Sequence, residues 1–593
     1  MKKWLIYVLI GLVLYAFPWV LPSSYFVHMA QGFLYTYIVL VGLNLLVGLS
    51  GQLSLGHAGF YAIGAYVTGL GCNAGMPFPL ALLLGMAACA LTGAVVAMLS
   101  LRAKGPYLAM VTIAFGLLIE IIANRWVAVT GGPAGLYLDQ PTLFGFPLGT
   151  VEYYWLIAGV TLVIAILVDN LFTSRVGRTF RAMGNSEVAA ATVGINVRNW
   201  KVLAFAISAL IAGVGGALFA FQNAYFNSDS FTFDKSILFL VGVIVGGAGT
   251  RLGPVVGTAI IFLLPQWVQS LYDYHLLIFG GILLFSLIVL PDGIVGGLHR
   301  LFARRRQKRQ SAAEHAAAEA GEAGIRWSAE RGQTELVVER VVMEFDGYRA
   351  VDEVSFELSG PEVRGLIGPN GSGKSTIVNL LSGVYVPTAG RILWNGRDVT
   401  AYAPHQMAAV GITRTFQNLQ LFGEMTVLQN VLVGFHNHYR AGFWSNLLHT
   451  FRFHKEEQRF RQEAMHLLAF VGMAHKAEEI AANLSYGEQR LIEIARAMAV
   501  KPRLLILDEP AAGASLYEVE KIMQVIRNLK QSGISIILVE HHMEIVMNVC
   551  DRISVLDFGR KIAEGEPAQI QNHPQVIEAY LGGEEVSKLV VGR

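Results

Sequence analysis

The stretch GLIGPNGSGKSTIVNLLSG, residues 365–383, decides how the rest of this 593-residue chain is read. Gly368, Gly373, Lys374 and Ser375 fill the pattern G-x-x-x-x-G-K-S/T, after a strand-like apolar run and before a helix-like one, the context that pattern needs. The loop residues Gly368, Asn370, Gly371 and Gly373 let successive backbone N–H groups turn toward phosphate oxygens. A helix opening at Lys374, Ser375 and Thr376 presents its positive end to the same anion. Lys374 is expected to reach the β- and γ-phosphates of a nucleotide and Ser375 to bind magnesium. Such a site also needs an acidic residue for the metal and a group that orients water. RLLILDEP, residues 503–510, supplies both, because its apolar run makes a buried strand ending in Asp508, the magnesium partner, and Glu509, the candidate general base.

Working outward, the short runs ELVVE, VSFEL and VRGLI before the loop and helical stretches after it predict an α/β domain. The N-terminal half is different. Only 22 of the 88 charged residues lie in the first 300 positions, and no Asp, Glu, Lys or Arg occurs from Trp4 to Leu101. Residues 1–302 therefore read as a transmembrane domain and 303–333 as a linker, basic and then rich in Ala and Glu. Residues 334–583 read as the ATP-binding domain and 584–593 as a tail. As flexible coil the linker would span roughly 30 Å. The net charge of +2 gives no sign of nucleic acid, and none is expected as a partner. Cys72, Cys89 and Cys550 lack metal-ligand spacing and read as buried or free thiols.

A helix crossing the hydrocarbon core needs about 20 apolar residues, fewer where other helices shield it. Ten candidates fall at about 4–22, 27–49, 58–72, 78–101, 107–123, 153–172, 202–222, 237–249, 253–271 and 275–291; the short ones at 58–72 and 237–249 either cross or re-enter. The basic start followed by an apolar run reads as the first span, since no small-residue cleavage site follows. With ten alternating spans, Lys2 and Lys3, Arg102 and Lys104, the basic residues from Arg175 to Lys201, Arg251 and those from Arg304 to Arg309 share one side. Asp139, Glu152, Asp229 and Asp273 share the other. The basic side is the cytoplasm, which places both termini and the ATPase domain there and the chain in a bacterial inner membrane. Ala58, Ala62, Ala65 and Gly69, and again Ala209, Gly213 and Ala217, put small residues on one helix face, for close packing or for a translocation path. Glu120, well inside a span, is a functional candidate or half of a satisfied polar contact with the nearby Asn124 and Arg125.

NLSYGEQRLIEIARAMA, residues 483–499, resembles the signature motif of the ATP-binding cassette ATPases, with Ser485, Gly487 and Gln489 matching and Tyr486 in a slot that is often Gly. Ser485 with Glu488 three residues on makes a capping box. The resemblance implies that this helix start binds the γ-phosphate of ATP held by a second, facing ATPase domain. It also implies that Gln417 in RTFQN is the Q-loop residue, catalytic and a magnesium ligand. His541 in LVEHH is then the switch histidine, and Phe345 in EFDG stacks on adenine, with Tyr348 as the alternative. Ala514 and Ser515 stand where the family has Leu followed by Asp or Asn.

GLSGQLSLGHAGFYAIGAYVTG, residues 48–69, and the stretch from Gly177 to Leu218 look like the permease subunits of bacterial branched-chain amino-acid importers. The ATPase half is similar to the matching ATPase subunit, down to LSYGEQR and a long insertion near residues 435–463. The resemblance implies a multi-span α-helical membrane domain of about ten helices fused to an α/β P-loop ATPase domain with a helical subdomain. It implies import of branched-chain or other hydrophobic amino acids, driven by ATP with magnesium; similar permeases carry urea, short-chain amides or aromatic carboxylates. The partners implied are a periplasmic binding protein, a second permease and a second ATPase on different chains, membrane lipid and a small-molecule substrate. An exporter would show six spans with long cytoplasmic helical extensions, and a soluble cassette ATPase would show no span at all.

Between two spans lies TSRVGRTFRAMGNSEVAAATVGINVRN, residues 173–199. Asn185 or Ser186 can cap a short helix, Glu187 suits its positive end and Gly194 can end it. Val188, Ala191 and Thr192 are expected to form its apolar face. By resemblance this is the coupling helix, seated beside the Gln417 loop of an ATPase domain.

Overall fold

The computed structural model describes residues 2–21, 23–101, 106–139, 142–143, 146–263, 274–298 and 335–581. The expected linker 303–333, the tail 584–593, Arg102, Lys104, Asp273 and the basic residues from Arg304 to Arg309 lie outside them. Compactness divides the described residues into two units. One holds residues up to Gly184, those from Val197 through the last apolar helix, and Gly442–His449. The other holds Asn185–Asn196 and, from Glu335 on, the remainder.

In the first unit each of the ten apolar stretches coincides with a helix over its described residues; of 253–271, residues 264–271 lie outside them. These are Lys2–Val20, Ser24–Leu43 continued by Asn44–Leu49, His57–Asn73, Phe78–Leu99, Pro106–Arg125, Thr150–Thr173, Val197–Asn223, Phe233–Gly247, Gly253–Thr258 continued by Ala259–Leu263, and His275–Val289. Among the described residues six helices are long and apolar enough to cross a membrane by length and composition. The small-residue faces are packing surfaces. Ala58, Ala62, Ala65, Ala209 and Ala217 are at most 2% exposed, and a methyl group on Gly64 would sit 2.1 Å from the Gly213 carbonyl oxygen. Glu120 accepts a hydrogen bond from the Phe233 backbone N–H at 3.2 Å, so it is a satisfied polar contact, made across helices rather than with Asn124 or Arg125.

The chain breaks helix between Leu49 and His57, and its polar groups are met internally, as an apolar surround requires. His57 Nδ1 lies 2.8 Å from Ser54 Oγ and Nε2 2.8 Å from Ser208 Oγ, which in turn donates to the Gly42 carbonyl at 2.6 Å. The segment Gly442–His449 is bound to the end of the Thr150–Thr173 helix. Asn170 Nδ2 donates to the Leu447 carbonyl and His449 Nε2 meets the Asn170 carbonyl, both at 3.0 Å.

The second unit is built on a six-stranded sheet in the order Ile412–Arg414, Leu504–Asp508, Ser535–Val539, Val363–Ile367, Arg552–Asp557 and Arg560–Gly565. The first five run parallel and the last is antiparallel. The central three are buried along their whole length, which is why LLIL and IILV read as unbroken apolar runs, while Val363–Ile367 carries the buried, ion-paired Arg364. A four-stranded antiparallel sheet carries Tyr348–Ser359, Glu335–Phe345, Ala389–Trp394 and Arg397–Asp398. Helices Val427–Gly434, Phe451–Phe470 and Tyr486–Ala499 pack around Phe435, Phe460, Leu467 and Ile492. Ligands of open parallel sheets gather beyond the carboxyl ends of the strands, and here four neighbouring strands end at Ile367, Arg414, Asp508 and Val539.

Candidate functional site

Each of those four strand ends delivers one part of the site. After Ile367 the phosphate loop turns into the helix Lys374–Leu381 through Gly373, whose φ of +98° and whose approach to the Ala350 carbonyl, 2.5 Å from where a Cβ would lie, leave room for glycine alone. Lys374 is buried and its ammonium donates to the Gly368 and Pro369 carbonyls at 2.7 and 2.9 Å. Burial pulls its pKa down from the ordinary lysine value, against the pull of Glu509 and Asp508. Asn370 and Gly371 are exposed on the loop and Ser375 on the first turn of the helix. Ser372 Oγ is buried there without a partner, an orphan polar atom in the cradle itself.

The strand Leu504–Asp508 ends in Asp508, buried and ion-paired at 3.3 Å to Arg414. Burial pushes its carboxyl above the usual aspartate range, with Arg414 working the other way. Glu509 follows in the left-handed region at φ +49°, a conformation that costs a non-glycine residue about 1–3 kcal/mol. Its backbone N–H is tied to the Val539 carbonyl at 2.9 Å. That turn aims Oε1 at two groups from other strand ends: Gln417 Nε2 donates to it at 3.1 Å, and His541 Nε2 lies 3.0 Å away. Since the Gln417 amide spends its N–H on Glu509, its oxygen is the atom left for a metal.

The structure thus gathers Lys374, Gln417, Asp508, Glu509 and His541. The signature residues form a second cluster. Ser485 caps the helix Tyr486–Ala499 and shares a reciprocal box with Glu488, Ser485 Oγ donates to Glu518 at 3.2 Å, and Gln489 Nε2 donates to the Leu484 carbonyl at 3.0 Å. A Cβ on Gly487 would lie 2.1 Å from the Glu518 carboxyl carbon, so a side chain there would displace the Glu518 carboxylate from Ser485. Ser515 caps the next helix, Leu516–Gln531, and is boxed to the same Glu518. Phe345 ends a strand of the other sheet, 38% exposed and edge-on to Tyr385 at 5.4 Å; Tyr348, its register partner, is 62% exposed. Thr376 lies in the first turn of the loop helix.

Three residues that the motifs do not name hold the two clusters together. Arg490, Glu493 and Arg496 are each at most 2% exposed. Arg490 donates to the Phe416 and Gln417 carbonyls, Arg496 to the Gln420 carbonyl at 2.7 Å, and Glu493 accepts from the Phe416 N–H at 3.1 Å. The signature helix therefore grips the backbone of the Gln417 loop. Burial raises the Glu493 pKa, opposed by Arg496 and Arg490. The signal was present in the sequence: charges of alternating sign three apart inside an otherwise apolar helix. Removing one charge of a buried pair costs about 3–5 kcal/mol. Glu493→Gln is therefore expected to lower the thermal midpoint of the purified protein by roughly 5–10 °C. A change under about 1 °C in a melting scan would show that the network contributes nothing. Glu540, 1% exposed, is a fourth such residue, accepting from Ala511 N–H at 2.8 Å and His541 N–H at 3.1 Å and so fixing the turns that carry Glu509 and His541.

The segment Asn185–Asn196 belongs to this unit. Ser186 caps the helix Glu187–Thr192 by accepting from the Ala189 N–H at 3.2 Å, and the chain turns out of the helix at Gly194, whose φ is +95°. Thr413, next to Arg414 and three residues before Phe416, donates its hydroxyl to the Thr192 carbonyl at 3.1 Å. Gly194 abuts Asn437, 2.1 Å from where its Cβ would lie. Of the expected apolar face, Thr192 is buried and Ala191 half-buried, but Val188 is corrected. Val188 is 47% exposed, while Ala189, Ala190, Val193 and Ile195 are buried, because the reversal at Gly194 folds Ile195 back under the helix.

Residues 25–287 match the family model described as branched-chain amino acid transport system / permease component, and residues 351–512 that of the ABC transporter. Residues 560–586 match the branched-chain amino acid ATP-binding cassette transporter. The high-affinity branched-chain amino acid transport ATP-binding protein LivG of Salmonella typhimurium is 42% identical over 248 residues, 42% of this chain and 97% of that protein. BraF of Pseudomonas aeruginosa, described in the same words, is 40% identical over 248 residues with the same coverage. A crystal structure of a nucleotide-free ATP-binding cassette from an ABC transporter aligns with a TM-score of 0.38 at 33% identity, covering 42% of this chain and 99% of that one.

Proposed function

From a chain that belongs to the branched-chain amino-acid family of ATP-binding cassette transporters, a permease fused to an ATPase that hydrolyses ATP in step with transport, we propose an importer. It carries branched-chain or other hydrophobic amino acids inward across the bacterial inner membrane, with the ATPase domain and both termini in the cytoplasm. The basic side of the span count supports that orientation. Residues 1–302 are the permease, 334–583 the ATPase and 303–333 the tether that joins them.

The observation that carries the mechanism is the meeting of Gln417 and His541 at one oxygen of Glu509. A carboxylate held by two neighbours from separate strand ends is placed to accept the proton of an attacking water, and Gln417 and His541 report to it whether the γ-phosphate side of the site is complete. Lys374, the loop amides from Gly368 to Gly373 and Thr376 hold the phosphates, and Phe345 stacks on the base. Among the described residues no cluster of three or more His, Cys, Asp or Glu is placed to hold a metal. The metal reading therefore rests on one carboxylate, Asp508, with the Ser375 hydroxyl and the Gln417 amide oxygen. All three are hard oxygen donors, the kind magnesium takes while keeping waters and phosphate oxygens. Magnesium there would neutralise charge on the phosphates.

Ser485, Gly487 and Gln489 face a second ATPase domain and close on its ATP. The Glu187–Thr192 helix links the Gln417 region to the spans that precede and follow it, and serves as the coupling helix. A second permease, a second ATPase and a periplasmic binding protein complete the machine. The substrate reading is tested on the binding protein that copurifies with the chain. Calorimetric titration is expected to give tight binding of leucine and none of urea or benzoate; tight binding of either of the latter, without leucine, transfers the proposal to amides or aromatic carboxylates.

A further inference from the structure

The first unit contains a cavity of about 420 Å³ walled by the Lys2–Val20, Ser24–Leu43 and Thr150–Thr173 helices and by residues 251–255. Its walls are apolar over most of their length, from Ile10, Leu14 and Phe33 to Leu162 and Ala165. The Thr161 hydroxyl is the polar group at one end, and the charged groups meet at the other. There Arg251 Nε lies 3.2 Å from Asp169 Oδ1, and the Tyr7 hydroxyl hydrogen-bonds Asp169. Asn44 fixes the loop that presents Arg251, donating to the Thr250 carbonyl at 2.9 Å and accepting from the Gly249 N–H at 2.8 Å.

Length and level identify what fits. From Thr161 to Phe172 the lining helix rises about 16 Å, and one leaflet of the hydrocarbon core is about 15 Å thick. The charged end is also the end where Trp444 and Leu448, 72% and 60% exposed, sit on the segment bound to Asn170. Tryptophan prefers the membrane–water interface, so Arg251 and Asp169 stand at headgroup level and the apolar trough runs inward from them. Arg251 is half exposed and Asp169 14% exposed, so both charges are reachable from the mouth. A guanidinium and a carboxylate side by side match a headgroup that carries both a phosphate and an ammonium.

We propose that this groove is a phospholipid site in the leaflet on the Arg251 side, taking one acyl chain of a zwitterionic aminophospholipid, its phosphate on Arg251 and its ammonium on Asp169. Much of one wall comes from the Lys2–Val20 helix, which lies outside the residues matched to the permease family.

The assembled transporter containing the full chain is placed in vesicles with phosphatidylethanolamine bearing a photoactivatable acyl chain. Illumination is expected to label peptides holding Ile10 and Leu162 ahead of the outward residues of Phe78–Leu99. In native mass spectrometry, retained phosphatidylethanolamine should exceed phosphatidylglycerol, and Arg251→Gln should lower that retention about fivefold, the weight of one interfacial cation. Leu162→Trp, which fills the trough, should abolish retention of both lipids with Arg251 intact. Even labelling of all lipid-facing helices overturns the proposal. So does equal retention of phosphatidylglycerol, or a photo-crosslinker at Ile10 that captures a second permease chain.

Discussion

Glu509→Gln leaves ATP bound and lowers its hydrolysis about a thousandfold, within the range a positioned general base supplies. Glutamine keeps the size of the side chain and an oxygen for Gln417 and His541 to meet, so the turn at φ +49° and its tie to Val539 survive. What is lost is the ability to take a proton. The nucleotide therefore accumulates in the closed pair of ATPase domains. Lys374→Ala acts earlier, removing the ammonium from the phosphate cradle, and should abolish binding itself. Equilibrium binding of labelled ATP separates the two: retained in Glu509→Gln and lost in Lys374→Ala. Hydrolysis at the parent rate in Glu509→Gln would remove Glu509 from the chemistry.

Ala190→Asp separates hydrolysis from transport. Ala190 is fully buried on the Glu187–Thr192 helix, and an unpaired carboxylate there costs about 3–5 kcal/mol, enough to unseat so small a contact. None of the residues gathered at the phosphate site is touched. Basal ATP hydrolysis should stay within about twofold of the parent, while uptake and its stimulation by the binding protein fall more than tenfold together. Val188→Asp, two positions away and on the opposite side of the helix, is the control, because at 47% exposure its charge stays in water. Equal loss in both variants would mean that the helix responds to charge rather than to seating, and unchanged uptake in Ala190→Asp would end its role in coupling.

The parts legible in the sequence are those fixed by local rules. The phosphate loop is a spacing of residue types. The strands ending at Asp508 and Val539 are apolar on both faces because helices cover both, and the apolar stretches whose described residues are helical need no tertiary information. The cap at Ser186 and the stop at Gly194 were readable for the same reason. The docking face of that helix was not, since six residues give less than two turns and their orientation is set by the fold-back of Ile195 and the seat offered by Thr413 and Asn437. Nor did spacing reveal that Arg490, Glu493 and Arg496 grip the Gln417 loop, because their partners are backbone carbonyls and one backbone N–H some 75 residues away in sequence. The same holds for Gly442–His449, whose bonds to Asn170 span about 280 positions.

The central claim is that this fused chain uses ATP to move a branched-chain amino acid inward. It is tested by reconstituting the transporter in vesicles with the ATPase domain facing the lumen, ATP and magnesium inside, and binding protein with labelled leucine outside. The account predicts leucine accumulation above the external concentration, abolished by Lys374→Ala and by Ala190→Asp. Accumulation that proceeds without luminal ATP, or ATP-driven loss of preloaded leucine, would contradict it.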